Sequence, residues 1–181
     1  GYLTTYKTSA LLINDNLIID AGSIATSIDI TEQERITNIL LSHSHFDHIK
    51  GLPFLADNLW GEVARSIEIM GIKETLDSVK NNILNDSIWP DITKILSTSE
   101  PIYRLVELKE EEKVFVGKLE VTPIRVNHVI PTVGYIIDDG ISSVVYSGDT
   151  YKTEKIWKEA SKRDNLKAAI KFYLIFKILI N

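Results

Sequence analysis

The stretch Ile39-Leu40-Leu41-Ser42-His43-Ser44-His45-Phe46-Asp47-His48 joins a short apolar run to three closely spaced histidines. The apolar run is typical of a buried strand, so we expect the histidines on the loop where that strand ends. A strand end holds its neighbours still, and a loop allows several side chains to converge on one point. Imidazole nitrogens and carboxylate oxygens together suit Zn²⁺, Mn²⁺ or Fe²⁺ better than Ca²⁺ or Mg²⁺. The stretch predicts a metal site, against the plainer alternative of solvated loop residues that cluster by chance.

The remaining histidine extends this pattern. The chain has 4 histidines, and the last of them, His128, stands alone between two apolar runs. Histidine is the commonest metal ligand in proteins, and a strand end is the position such a ligand needs. Each histidine of the sequence is therefore a candidate ligand.

Two carboxylates also follow apolar runs, on turns that contain glycine. Asp20 opens Asp20-Ala21-Gly22 after Leu17-Ile18-Ile19, and Asp149 lies in Ser147-Gly148-Asp149-Thr150 after Val144-Val145-Tyr146. A metal ligand, or a residue that orients one, needs this placement. A helix cap or turn carboxylate is the alternative for Asp149, and a simple turn is the alternative for Asp20. We expect Asp149 to bind metal and Asp20 to hold a ligand in position.

Composition predicts one domain spanning residues 1–181. The chain has 44% hydrophobic and 25% charged residues, as ordinary soluble globular proteins do. It has no cysteine, which excludes a thiolate metal site and fits a reducing compartment, so we expect a cytoplasmic protein. Residues 1–151 carry 22 acidic against 12 basic residues, which argues against a nucleic-acid-binding surface. The start, Gly1-Tyr2-Leu3, has no initiator methionine and looks internal, so it says nothing about a signal peptide.

Apolar alternation and turn residues predict a mixed α and β chain. The sequence predicts a hairpin from Ser9–Ile13 and Leu17–Asp20, and a helix opened by a capping box over Thr31–Glu34. Further strands are predicted over Ile36–Leu41, Ile67–Met70, Val114–Val116, Leu119–Val126, Val133–Ile137 and Ser143–Tyr146. Further helices are predicted over Leu52–Trp60, Lys73–Leu84 and Thr153–Lys162.

The order of these elements resembles the metallo-β-lactamase superfamily. The resemblance rests on Asp20-Ala21-Gly22, on His43-x-His45-x-Asp47-His48, on His128 and on Ser147-Gly148-Asp149-Thr150, and it covers roughly residues 9–168. Within the superfamily the chain looks most like the class II cyclic-nucleotide phosphodiesterases. That closer likeness rests on the segments 51–58 (GLPFLADN), 85–91 (NDSIWPD) and 127–135 (NHVIPTVGY).

The resemblance implies an αββα sandwich with two divalent metals, most simply zinc, at one edge of its sheets. By position, His43, His45 and His128 would bind the first metal. Asp47 and His48, also the implied catalytic residues, would bind the second, and Asp149 would bridge both. The implied activity is hydrolysis of a small-molecule 3′,5′-cyclic nucleotide such as cyclic AMP, by attack of a metal-bridging hydroxide on phosphorus.

One departure concerns the second metal. The family pattern adds a further histidine from the C-terminal part of the domain, and the sequence has none after His128. We therefore expect the sandwich to be incomplete at the C-terminus and the chain to look truncated at both ends. Residues 166–181 are expected to form a terminal strand or an aberrant end, with a membrane-surface helix as a lesser alternative. The longest uncharged apolar run there, Phe172–Phe176, is too short for a membrane span, which takes ~20 residues.

Two other functions stay open at this point. One is another hydrolase of the same fold, most plausibly a tRNA 3′-end-processing ribonuclease. Phe46 stands where that ribonuclease type usually has glycine, and the acidic body also counts against it. The other is an inactive metal-binding remnant, which the missing histidine favours. The sequence does not indicate an oligomeric state.

Overall fold

The computed structural model describes residues 8–170 and 176–178. The strands are β1 (Leu11–Ile13), β2 (Leu17–Ile19), β3 (Asn38–Leu40), β4 (Ile67–Gly71), β5 (Tyr103–Glu107), β6 (Val114–Val116), β7 (Leu119–Arg125), β8 (Val133–Asp138), β9 (Ser143–Tyr146), β10 (Leu166–Ile170) and β11 (Phe176–Ile178). The α-helices are α1 (Ile30–Gln33), α2 (Phe46–Ile49), α3 (Gly51–Asn58), α4 (Lys73–Asn82) and α5 (Lys155–Ala160), and a 3₁₀ turn covers Ile24–Thr26.

These strands form two sheets. The first sheet has the order β11-β1-β2-β3-β4-β5, and the second has the order β10-β9-β8-β7-β6. Strands β2, β3, β4 and β5 are parallel, so their carboxyl ends meet at one edge. The backbone N–H of Asp20, directly after β2, donates to the Leu40 carbonyl at 2.8 Å. This edge therefore brings the turn at Asp20 beside the start of the histidine stretch.

Three layers of apolar side chains make the chain an αββα sandwich. Leu17 and Ile19 of β2 pack between the two sheets, and Ile18 packs under the helices that cover the first sheet. Ile136 and Val145 of the second sheet pack against α5 on the outer face. Because the first sheet is buried on both faces, its strands are continuous apolar runs rather than alternating ones. The predicted fold class is confirmed.

The structure differs from the expectations drawn from the sequence at four points. Helix α1 begins after Asp29, whose carboxylate accepts from the Glu32 N–H at 2.9 Å, so the capping box predicted at Thr31 is wrong. Strand β5 was not predicted, because its exposed positions interrupt the apolar alternation. His48 lies in α2 rather than on a loop. In the terminal segment, β10 pairs with β9 and β11 with β1, whereas residues 171–175 and 179–181 lie outside the described residues.

Among the helices that the structure describes, none is long and apolar enough to cross a membrane.

Candidate metal centre

Three histidine rings point one nitrogen each at a common point. His43 Nε2 lies 3.0 Å from His45 Nδ1, and His128 Nε2 lies 3.2 Å from the same atom. A tetrahedral cation with bonds of about 2.0–2.1 Å holds two nitrogens about 3.3–3.4 Å apart, so the donors are already spaced for zinc or a similar ion. Three neutral imidazoles also leave a fourth position open, as catalytic zinc sites do. These residues fit a divalent metal.

A second group of possible ligands adjoins the first. His48 Nε2 lies 3.7 Å from Asp149 Oδ1 and 3.7 Å from Asp47 Oδ2. His43, His48 and Asp149 each offer one donor atom within 4.8 Å of the others. His48 is buried, whereas the Asp47 side chain is 58% exposed, so this group opens toward solvent on its carboxylate side. All six residues expected to bind metal therefore meet at one sheet edge, although Asp47 stands at the rim.

A close backbone approach positions the histidine stretch. His45 precedes α2 with an extended backbone and accepts the His48 N–H at 2.9 Å. The helix rests on the turn after β2, because the Ala21 N–H donates to the His48 carbonyl at 2.6 Å. A Cβ on Gly22 would lie 2.0 Å from the Asp47 carbonyl oxygen, which no side chain can tolerate. Glycine at 22 is thus what lets α2 present His48 and Asp47 to the sheet edge.

The other two candidate ligands come from the second sheet. His128 lies on the connection from β7 to β8, and Asp149 lies on the turn that follows β9. The Tyr151 N–H donates to the Asn127 carbonyl at 2.7 Å, and the Thr150 hydroxyl donates to the same oxygen at 3.1 Å. These bonds tie the two loops together beside the ligands. Helix α5 begins at Lys155 after Glu154, so Asp149 is not its N-cap.

Asp20 lies behind the histidines and makes no approach to the converging atoms. Its Oδ2 lies 2.7 Å from His48 Nδ1 and accepts the Tyr146 hydroxyl at 2.6 Å. Its Oδ1 accepts the Ser42 N–H at 2.8 Å, and the Ser42 hydroxyl also donates to it. The residue is fully buried and adopts a φ of 57°, which is uncommon outside glycine. Four polar contacts stabilise this strained position.

Asp20 determines which ring nitrogens of His43 and His48 face the candidate metal. Because a carboxylate accepts only, His48 Nδ1 carries the proton and Nε2 faces the candidate metal. Ser42 Oγ lies 2.9 Å from His43 Nδ1 and donates its own proton to Asp20, so it accepts from His43. With the His43 ring neutral, its Nε2 is therefore left without a proton. One buried carboxylate orients both rings, directly for His48 and through Ser42 for His43.

Burial and neighbouring charges shift the pKa values of His43 and His48 in opposite directions. Burial, together with the charge of the neighbouring His48, lowers the pKa of His43 to about 3. Burial would also lower the pKa of His48, but the adjacent Asp20 carboxylate outweighs it and raises that pKa to about 9. Burial opposes ionisation of Asp20, yet His48 and the Tyr146 hydroxyl hold its pKa below the ordinary value. His43 is thus available as a neutral ligand at neutral pH, and Asp20 is ionised.

Sequence reasoning missed three members of this network. Ser42 bridges Asp20 and His43, Tyr146 donates to Asp20, and the Ser9 hydroxyl lies 2.9 Å from the Tyr146 hydroxyl. The position of Ser42 directly before the histidine motif was a signal that could have found it. Nothing local marks Tyr146 or Ser9, because they lie 137 residues apart in the chain. Only the packing of one sheet on the other brings them together.

Comparison with known proteins agrees with this architecture. Residues 18–171 match the family model described as a beta-lactamase superfamily domain. The chain belongs to the metallo-β-lactamase superfamily. The fold implies divalent metal binding, and the histidine cluster is consistent with it. The predicted resemblance is therefore confirmed.

Individual relatives cover parts of the chain. The 3′,5′-cyclic-nucleotide phosphodiesterase 1 of Saccharomyces cerevisiae is 31% identical over 96 residues, which are 52% of this chain and 26% of that protein. Ribonuclease J of Thermus thermophilus is 27% identical over 122 residues, which are 66% of this chain and 19% of that protein. The chain thus spans about a quarter or less of these curated relatives.

The solved structures show the same fold. The crystal structure of unliganded yeast PDE1 superimposes with a TM-score of 0.63 at 24% identity, over 74% of this chain and 42% of that one. The superfamily supports a hydrolase.

Proposed function

We propose that this chain is a metal-dependent 3′,5′-cyclic-nucleotide phosphodiesterase that acts on cyclic AMP. His43, His45 and His128 bind one divalent ion, and Asp47 and His48 bind another, with Asp149 between the two. Zinc suits this donor set best. The observation that carries the proposal is the convergence of three ring nitrogens: His43 Nε2 lies 3.0 Å and His128 Nε2 lies 3.2 Å from His45 Nδ1. A second group containing two carboxylates adjoins them. The similarity to yeast cyclic-nucleotide phosphodiesterase 1 supports the substrate class.

The chain's own residues suit this reaction. Bound divalent ions supply Lewis-acid chemistry, which activates water and offsets the charge that grows on phosphate oxygens. Asp20 and Ser42 keep the ligand rings in fixed orientation, so no reorganisation is needed when substrate arrives. The 58% exposed Asp47 and the 28% exposed Asp149 leave the carboxylate side of the centre accessible to a small diester.

A ribonuclease of the same fold is the second candidate. The match to Ribonuclease J extends over 66% of this chain, whereas the match to yeast phosphodiesterase 1 covers 52% of it. Against this candidate stand Phe46 in the histidine motif and the acidic composition of residues 1–151. An inactive metal-binding protein is the third candidate, since the sequence has no histidine after His128.

Turnover of defined substrates tests these candidates. Zinc- and manganese-loaded protein is assayed with cyclic AMP, cyclic GMP, a precursor tRNA with a 3′ trailer and a 5′-monophosphorylated RNA. We expect release of AMP from cyclic AMP, abolished by His128→Ala and unaffected by Asp164→Asn, which changes an exposed carboxylate. Cleavage of RNA alone would favour the ribonuclease. Bound metal with no turnover of any substrate would favour the inactive protein.

A further inference from the structure

Three side chains recur every four residues from the histidine motif into α3. They are Phe46, Lys50 and Phe54, a set we call the Phe46–Lys50–Phe54 face. Lys50 has helical backbone angles, φ −59° and ψ −22°, and its N–H donates to the Phe46 carbonyl at 2.8 Å. The chain therefore stays close to helical from α2 into α3, where residues four apart share one side.

The two aromatic members of this face are exposed. Phe46 is 65% exposed and Phe54 is 55% exposed, although each could have been a polar residue at no cost to the core. The Phe54 ring makes an edge contact with Trp89 at a centroid distance of 5.8 Å, so its orientation is supported. Exposed aromatic rings beside a catalytic centre are typical of ligand-binding surfaces.

Lys50 and Phe54 also line a hollow of about 210 Å³. Its remaining walls are Gly22, Ser23, Ala25, Thr26 and Gly51. Among the side chains described from residue 8 to 168, Lys50 makes no ion pair, although acidic residues outnumber basic ones in the sequence. The hollow therefore combines an aromatic wall with an unpaired positive charge.

The backbone places this hollow next to the metal centre. The Gly51 N–H donates to the Ala21 carbonyl at 2.7 Å, and the Ala21 N–H donates to the His48 carbonyl at 2.6 Å. Two hydrogen bonds thus separate the floor of the hollow from a candidate metal ligand. Phe46 stands between His45 and Asp47 in the sequence, and both of these are candidate metal ligands.

We infer that the Phe46–Lys50–Phe54 face binds the nucleotide substrate of this site, with its base stacked on the Phe54 ring beside the hollow and its phosphate attracted by Lys50. This inference rests on the proposed phosphodiesterase function and names the part of the site that contacts the base. Every base has a π-face, so stacking on phenylalanine favours nucleotides over base-free phosphates without choosing among bases. A lysine is a compact point charge that attracts phosphate with or without a base.

Binding of two probes separates these roles. AMP and ribose 5-phosphate carry the same phosphate, and only AMP has a base. Their dissociation constants are measured by calorimetry with zinc-loaded protein and with Phe54→Ala and Lys50→Met. The expected result is a preference for AMP of about tenfold or more, within the range of base stacking on aromatic residues. Phe54→Ala should weaken AMP binding several-fold and leave ribose 5-phosphate binding within twofold, whereas Lys50→Met should weaken binding of both probes alike.

Matched controls lie elsewhere on the surface. Phe115→Ala removes a 74% exposed ring of the second sheet, and Lys118→Met removes an exposed lysine of the neighbouring turn. Both should bind AMP as the unchanged protein does. Equal affinity for the two probes, no saturable binding of AMP, or equal losses in Phe54→Ala and Phe115→Ala would overturn the inference.

Turnover of cyclic AMP is measured on the same samples. Base-selective binding that Phe54→Ala abolishes, without turnover, would overturn the proposed function and keep the base-binding face. Turnover of cyclic AMP without base-selective binding would overturn the base-binding face and keep the proposed function. A short single-stranded oligoadenylate serves as a third probe. If it binds more tightly than AMP and depends on Phe54, the base belongs to a nucleic-acid strand; if it does not, the base belongs to a free nucleotide.

Discussion

The carboxylate of Asp20 lies 2.7 Å from Nδ1 of His48, with the Asp20 side chain fully buried and His48 2% exposed. The same carboxylate accepts hydrogen bonds from the hydroxyls of Ser42 and Tyr146. A buried charge of this kind is stable only while its partners are in place. Asp20 therefore links the stability of the sandwich to the orientation of its candidate metal ligands.

Asp20→Ala is expected to damage both properties. Removing one partner of a buried charge pair costs about 3–5 kcal/mol, because His48 and Ser42 lose their acceptor. Loss of an orienting carboxylate weakens metal binding about 10–100-fold. Asp20→Asn keeps the shape of the side chain, so it should lower the free energy of unfolding less than Asp20→Ala does. It should still weaken metal binding. Urea denaturation and zinc titration measure the two effects, with Asp164→Asn as the control. Unchanged zinc affinity in Asp20→Asn would argue against an orienting role.

Metal content tests the first group of ligands. Elemental analysis of protein prepared without chelator should show bound divalent metal, and His43→Ala combined with His45→Ala should abolish it at this group. Three converging nitrogens reduced to one cannot hold a tetrahedral ion. Ser44→Ala, which changes the residue between them, is the control and should retain metal. The same metal content in the double variant would end the assignment.

The second group is expected to hold its ion less tightly than the first. Within the described residues it offers His48 with the carboxylates of Asp47 and Asp149, and affinity depends on the number of ligands and on their support. Competition with a graded chelator should reveal two affinities, and Asp149→Ala should remove the weaker one while the first metal stays partly bound. Unchanged metal content in Asp149→Ala, with a small loss of stability, would instead mark Asp149 as a turn carboxylate.

Gly22→Ala is expected to unfold the histidine stretch from the first sheet. The added Cβ would lie 2.0 Å from the Asp47 carbonyl oxygen, so α2 must move and the ligands on it must move with it. We expect a loss of at least about 3 kcal/mol, the size of severe overpacking, together with weaker zinc binding. Gly71→Ala is the matched control, because its nearest contact would be 3.4 Å. Near-native stability and metal affinity in Gly22→Ala would contradict the close approach.

An acidic pH should weaken the ion pair between Asp138 and Arg163. Burial would raise the pKa of Asp138, but the Gly140 N–H and the Arg163 guanidinium, 2.6 Å away, outweigh it and lower that pKa. A lowered carboxyl pKa contributes stability above the unfolded value of about 3.9 and loses it as the pH falls through the folded value.

Arg163→Met should therefore be less stable than the unchanged protein at pH 7, by about 1–2 kcal/mol. The difference should shrink below about pH 4, where the carboxyl becomes protonated. Lys162→Met removes an exposed pair with Glu159 and should change stability by less than about 1 kcal/mol. Thermal denaturation across pH 3–7 measures both variants, and a difference for Arg163→Met that stays constant with pH would contradict the assignment.

The sequence by itself determined the fold class and the candidate ligands. Apolar runs such as Leu17–Ile19 indicate buried strands, and polar residues at the ends of strands are candidates for binding. The spacing of His43, His45, Asp47 and His48 is local, so it is visible without any structure. Strand β5 escaped because alternation there is weak, and the start of α1 was misplaced because Asp29 and Thr31 are both good caps.

Only the tertiary structure decided which distant residues complete the site. Ser9, Tyr146 and Asp20 share hydrogen bonds across the two sheets, and no spacing in the sequence relates them. Their pairing depends on how one sheet packs on the other, which is set by the whole core rather than by local pattern. The same holds for Gly22, whose importance follows from the position of the Asp47 backbone. Local chemistry indicated the candidate metal ligands, and long-range packing fixed the orientation of the His43 and His48 rings.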